Sequence, residues 1–94
     1  MAIRIIQAGI DPQPARSGQT VRGRVEVQSD RQVTEVVAYG PTGEMYRLNP
    51  EGEGRFTATA TVPWNADPGT YSLTVVARNE GGETAWQTVT VTIA

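Results

Sequence analysis

Asp67-Pro68-Gly69-Thr70-Tyr71 separates two alternating runs, and the reading of the whole chain turns on it. Before it, Phe56, Ala58, Ala60 and Val62 alternate with Arg55, Thr57, Thr59 and Thr61. After it, Tyr71, Leu73, Val75 and Ala77 alternate with a set containing Ser72, Thr74 and Arg78. Apolar and polar side chains that alternate with period two mark a half-buried antiparallel strand. A tight corner that ends in a Tyr and joins two such strands indicates a small β-sandwich and no particular reaction. Asp67 is expected to organise the turn through side-chain-to-backbone hydrogen bonds.

Outward from the corner, Val21, Gly23, Val25 and Val27 alternate with Arg22, Arg24, Glu26 and Gln28, giving another half-buried strand. Gly23 on its inner face is expected to make room for a large neighbour. Met1 reads as an initiator or as a residue added for expression. Ala2 to Gln7 reads as a first strand with Ile3 and Ile5 on one face and Arg4 and Ile6 on the other. Pro12 and Pro14 then break the pairing and mark an edge or a crossover. Val33 to Gly40 is a strand of ambiguous parity. Thr34, Val36 and Ala38 share one parity and Val33, Val37 and Tyr39 the other. Val36 and Ala38 inward is preferred, because the second parity carries Glu35 into the core; partial cover on both faces is also compatible. Met45 to Leu48 is a short returning strand after the Pro41-Thr42-Gly43-Glu44 turn, and Asn49 to Gly54 is a further turn. Glu80-Gly81-Gly82-Glu83 closes a hairpin into the last strand, where Val89, Val91 and Ile93 face inward. That makes about seven strands in two sheets, with turn signals every ten residues or so, as a sandwich or barrel requires.

The 94 residues fit a single domain spanning 1–94, toward the small end of what can hold its own core. The core must be built from Val, Ile, Ala and Leu, since Phe56 is the only Phe. There is no Cys, no His and no Lys. Disulfides, thiol catalysis, thiolate zinc sites, imidazole general bases and Schiff-base chemistry are thereby excluded. So is a Lys–Asn isopeptide crosslink. A net charge of −2 gives no electrostatic reason to expect nucleic acid or an anionic membrane as partner. No apolar run approaches the length of a signal peptide or membrane helix, so direct membrane insertion is not expected and an export signal would lie elsewhere.

The corner Asp67-x-Gly69-x-Tyr71 resembles the D-x-G-x-Y corner of the immunoglobulin superfamily, in which the Tyr hydroxyl bonds back to upstream backbone. Leu73 stands where that family has its second disulfide Cys. Ala77-Arg78-Asn79 with Gly82 resembles the end of the sixth strand and its hairpin in intermediate-set domains. Val62-Pro63 through Pro68-Gly69-Thr70-Tyr71, together with Gly40-Pro41-Thr42-Gly43, is similar to the disulfide-free immunoglobulin-like modules of bacterial surface and secreted proteins. The antibody-type core Trp of the third strand is missing; Val36, Val37 and Tyr39 stand there instead. The resemblance implies an immunoglobulin-like antiparallel sandwich, extracellular or at the cell surface as part of a larger protein, acting as spacer, adhesive unit or accessory domain. It implies that Tyr71 is largely buried, with its hydroxyl on backbone between Trp64 and Asp67.

Asp67, with Asp11 or Asp30, is a weak calcium candidate, because calcium takes six to eight oxygens, usually from carboxylates close in sequence. Glu51 and Glu53 lie in a Gly-flanked turn, where both should be solvated, unlike a glycosidase pair with one carboxyl buried. Ser17, Ser29 and Ser72 have no base to activate them. No enzyme activity, metal or cofactor is expected. Trp64, Trp86, Tyr39 and Tyr46 form the sharper candidate, a patch for a protein partner or a carbohydrate. Trp86 is out of phase with Val89, Val91 and Ile93 and faces away from the core if its strand is regular. Trp64, before the corner, is expected to cap the open end of the core, and rim packing is preferred over ligand binding for both Trp residues. The first reading is a non-catalytic module acting as spacer or as protein or cell-surface recognition unit of a larger secreted or surface protein. A carbohydrate-binding accessory module using exposed aromatics and an engineered sandwich scaffold are the alternatives.

Overall fold

The computed structural model describes residues 3–94. The described residues form eight strands: β1 (Ile3–Asp11), β2 (Thr20–Ser29), β3 (Val33–Tyr39), β4 (Met45–Arg47), β5 (Asn49–Gly52), β6 (Arg55–Thr61), β7 (Gly69–Asn79) and β8 (Thr84–Ile93). They assemble into two antiparallel four-stranded sheets, ordered β1-β2-β6-β5 and β4-β3-β7-β8. The sheets pack through their apolar faces. Val25, Val27 and Phe56 meet Val36, Val75, Ala77 and Val89 in one buried cluster, while Ala15, Val62, Val91 and Ile93 form a second beside Tyr71. Burial of each such Val contributes about 1.5–3 kcal/mol against its exposed state.

The strands with unbroken alternation lie as their pattern dictates: Val25, Val27, Phe56, Val62, Val75, Ala77, Val89, Val91 and Ile93 are all buried. The expected start of the first strand at Ala2 lies outside the described residues, as does Met1. β1 runs further than expected, to Asp11, because a bulge at Ile6 resets its parity. Ile3 and Ile5 pack inward before the bulge, Ala8 and Ile10 after it, and Ile6 is left half exposed. A second bulge, at Thr34, does the same in β3. Val33, not Thr34, joins Val36 and Ala38 against the core, and Thr34 instead donates its hydroxyl to the Arg78 carbonyl at 3.2 Å.

Pro12 and Pro14 do mark a crossover. Both preceding peptide bonds are cis. Beyond them the chain leaves the first sheet and joins the second along β8. Gln13 Nε2 donates to the Thr90 carbonyl and Gln13 Oε1 accepts from the Thr92 N–H, each at 3.1 Å. Ala15 donates to the Thr92 carbonyl at 2.8 Å and accepts from Ala94 at 2.7 Å, in a parallel bridge to Ile93. The opposite edge is closed by a second change of sheet. Asn49–Gly52, expected as a turn, is strand β5 on the other sheet from β4. The switch occurs at Leu48, which is buried and donates its N–H to the Val36 carbonyl at 2.9 Å. Pro50 is tolerated because β5 is an edge strand.

Candidate functional site

The outer face of the β4-β3-β7-β8 sheet carries the chain's most distinctive surface. Strand register places Arg47, Val37, Val76 and Trp86 in one row across the four strands. At the usual spacing of about 4.8 Å between strands, the row spans about 14 Å. Met45, Tyr39, Thr74 and Thr88 make the next row, and Glu35, Arg78 and Thr84 lie on the other side. Trp86 is 71% exposed, Met45 55% and Tyr39 41%. Val37 also points away from the core, yet only 1% of it is exposed, so neighbouring side chains close over it. Arg47 pairs with Glu35 at 3.6 Å. The result is an apolar stripe with charges set along its rim.

β8 pairs with β7 without interruption from Thr84 to Ile93, so no bulge turns Trp86 inward. The structure therefore brings Trp86 and Tyr39 onto one face but separates the other two aromatic candidates from them. Tyr46 pairs with Ala38 and so belongs to the inner side of the sheet, at its open edge. Trp64 sits in a turn closed by the Ala66 N–H on the Pro63 carbonyl, and at 84% exposure it caps nothing, contrary to the expected packing role. Rim packing is likewise not where Trp86 is found. Met45, Arg47 and Val76 escaped notice in the sequence, since their membership of this face follows from strand pairing and not from local pattern.

At the corner, Tyr71 Oη donates to the Asp67 carbonyl at 2.7 Å, within the expected segment, although Tyr71 is half-buried and not fully covered. The Asp67 carbonyl, not its carboxylate, closes the corner, while Gly69 opens β7. Tyr71→Phe is expected to lower the unfolding free energy by about 1 kcal/mol, read as a shift of the urea midpoint at constant slope.

The remaining candidates are dispersed. Asp11 pairs with Arg24 at one end of β2, whereas Asp30 follows its other end, eight residues and about 27 Å beyond Arg22, the partner of Asp11 in the sheet. Among the described residues no three metal-ligating groups cluster. Glu51 lies on β5 and not in a turn, 3.8 Å from Arg22, and Glu53 lies 3.7 Å from Arg55. Ser29 Oγ accepts hydrogen bonds from Arg31 N–H and Asn79 Nδ2, a structural role.

No family model and no curated protein matches the chain. Solved structures do. An engineered protein superposes with a TM-score of 0.64 and 23% identity, over 94% of this chain and 20% of that one. The fibronectin(III)-like modules of Clostridium thermocellum CbhA superpose with a TM-score of 0.58 and 23% identity, over 94% of this chain and 47% of that one. The fold is an immunoglobulin-like β-sandwich. A superoxide reductase (neelaredoxin) from Ignicoccus hospitalis shares the architecture, with a TM-score of 0.64 and 10% identity over 96% of this chain and 82% of that one. At such identities the likeness is one of fold. The chain spans about a fifth of the engineered protein and about half of the clostridial one.

Proposed function

We propose that the chain is a non-catalytic recognition module of a larger secreted or surface protein of bacterial type, and that it binds a protein partner through the outer face of the β4-β3-β7-β8 sheet. The observation that carries this reading is Trp86, held 71% exposed on a regular strand and flanked across the sheet by Val76, Val37 and Arg47. Trp, Tyr, Met and Arg are the residue types enriched at interface centres, and Trp, Tyr and Arg dominate binding hot spots. A rigid sheet presents them at little entropic cost. The absence of His, Cys and Lys from the sequence supports a non-catalytic role. The likeness to fibronectin(III)-like modules supports a unit that works beside other domains.

A carbohydrate partner is the second reading. It is favoured by the hydroxyls of Thr84, Thr88 and Thr74 in the rows on either side of Trp86, a ring to stack on with hydrogen-bonding groups around it. Selection of a displayed random-peptide library against the chain, alongside a glycan array, separates the two. Peptides selected by the chain should lose about 30-fold in affinity on Trp86→Ala, the scale of a hot-spot residue. Peptides indifferent to both Trp86→Ala and Arg47→Ala contradict the protein reading, and glycan binding abolished by Trp86→Ala replaces it with the carbohydrate one.

A further inference from the structure

The inner faces of the two sheets hold a feature independent of the Trp86 surface. Toward the corner end, the facing side chains are short: Gly23, Ala58 and Ala60 on one sheet and Ala38 on the other. Sheets stack about 10 Å apart, and a filled core needs larger side chains to bridge that gap. Here they leave an apolar cleft of about 320 Å³. Gly23 does not make room for a large neighbour: a Cβ built on it meets only the Ala58 carbonyl oxygen, at 3.9 Å.

The cleft is reached at the end of the sandwich where the Pro41–Glu44 and Pro63–Ala66 turns lie. β5 pairs with β6 only from Arg55 to Thr57, so among the described residues no strand covers the β6 edge beyond Thr57. We infer that this cleft is a binding site for a small, uncharged apolar molecule, such as a medium-chain alcohol, taken up end-on between the sheets. Its volume is at the lower end of the range for small-molecule sites. A cleft of this size forfeits packing contacts along its lining, whereas a guest restores them, and apolar walls offer water few hydrogen-bond partners. The apolar lining excludes charged guests, and the charge at the mouth further disfavours an anion. Glu44 lies there, and hydrogen bonding from Thr42 holds its carboxyl below the ordinary range. Arg24, which borders the cleft, turns its guanidinium to Asp11 on the outer side of the sheet.

The test is titration with N-phenyl-1-naphthylamine, an uncharged apolar fluorophore, followed by displacement with dodecanol or dodecanoate. Saturable binding is expected, with dodecanol displacing at a concentration about tenfold lower than dodecanoate. Methyl NMR shifts on dodecanol addition should centre on Ala38, Ala58 and Ala60. Gly23→Val and Ala58→Leu should each weaken binding at least tenfold, or about 1.4 kcal/mol. Gly23→Val should also raise the melting temperature by several degrees, since it replaces a strand Gly and fills space. Trp86→Ala should bind the fluorophore like the parent, which keeps this site distinct from the outer face. The inference is overturned by non-saturable binding, by methyl shifts elsewhere, by dodecanoate displacing as well as dodecanol, or by loss of binding in Trp86→Ala.

Discussion

Asn79→Ala lowers the unfolding free energy by about 3 kcal/mol, as the expected loss of the four hydrogen bonds of one buried carboxamide in the β7–β8 hairpin. Asn79 is 2% exposed and its carboxamide uses both ends. Oδ1 accepts from the Gly81 N–H at 3.0 Å and the Glu83 N–H at 3.1 Å. Nδ2 donates to Glu83 Oε1 at 2.9 Å and to Ser29 Oγ at 3.2 Å. The last contact ties the hairpin to the end of β2, on the opposite sheet. No buried side-chain nitrogen or oxygen is left without a partner among the described residues, so this network is complete as it stands. An intramolecular hydrogen bond contributes about 0.5–1.5 kcal/mol net, and the buried Asn79 carboxamide makes four. For a domain of this size, about 3 kcal/mol corresponds to a fall in melting temperature of about 12–24 °C. Calorimetry on the variant checks it. A fall of less than 4 °C would mean that water replaces the carboxamide and that the hairpin does not depend on it.

Gly54→Ala should cost about as much, by a different mechanism, and Gly82→Ala supplies its control. Both glycines have φ of +79°, the left-handed region that penalises a Cβ by about 1–2 kcal/mol. At Gly82 an added Cβ meets nothing within 4 Å. At Gly54 it collides with the carbonyl oxygen of Val27, a backbone atom of β2 that cannot rotate away. Gly54 also accepts the Val27 N–H at 2.8 Å, so relieving the collision strains the bond that joins the β5–β6 turn to β2. Overpacking of this kind adds about 1–3 kcal/mol. Gly54→Ala is therefore expected to destabilise by about 3–4 kcal/mol and Gly82→Ala by about 1 kcal/mol, compared by urea denaturation. Equal effects of the two would remove the argument from close approach.

The contrast between legible and hidden features follows from what local pattern can encode. β2, β6 and β8 alternate without interruption, and their inward residues could be read directly. The corner was legible because Tyr71 and Asp67 are four residues apart, so the bond between them is local. β1 was read as too short and Thr34 was placed inward in β3, because a bulge adds one residue and changes the parity across it. The change of sheet at Leu48 was hidden because β4 and β5 pair with different partners far along the chain. Gly23 looked like a notch for a bulky neighbour, but the strand opposite contributes Ala38 and the one beside it Ala58. Trp64 looked like a cap because aromatic residues near a core are usually covered, yet its turn points it outward. Of the candidate surface, Trp86 and Tyr39 could be named in advance, whereas Arg47, Val37 and Val76 joined them only through register.

The recognition face depends on β8 being regular and turning Trp86 to solvent. The chain has two Trp residues, so Trp64→Phe leaves Trp86 as the sole indole. The decisive measurement is the fluorescence of that variant at low protein concentration, with acrylamide quenching. Emission matching free tryptophan in water, with quenching close to that of the free amino acid, is the expected result. Blue-shifted emission resistant to acrylamide would place Trp86 within the core and contradict the proposed recognition face.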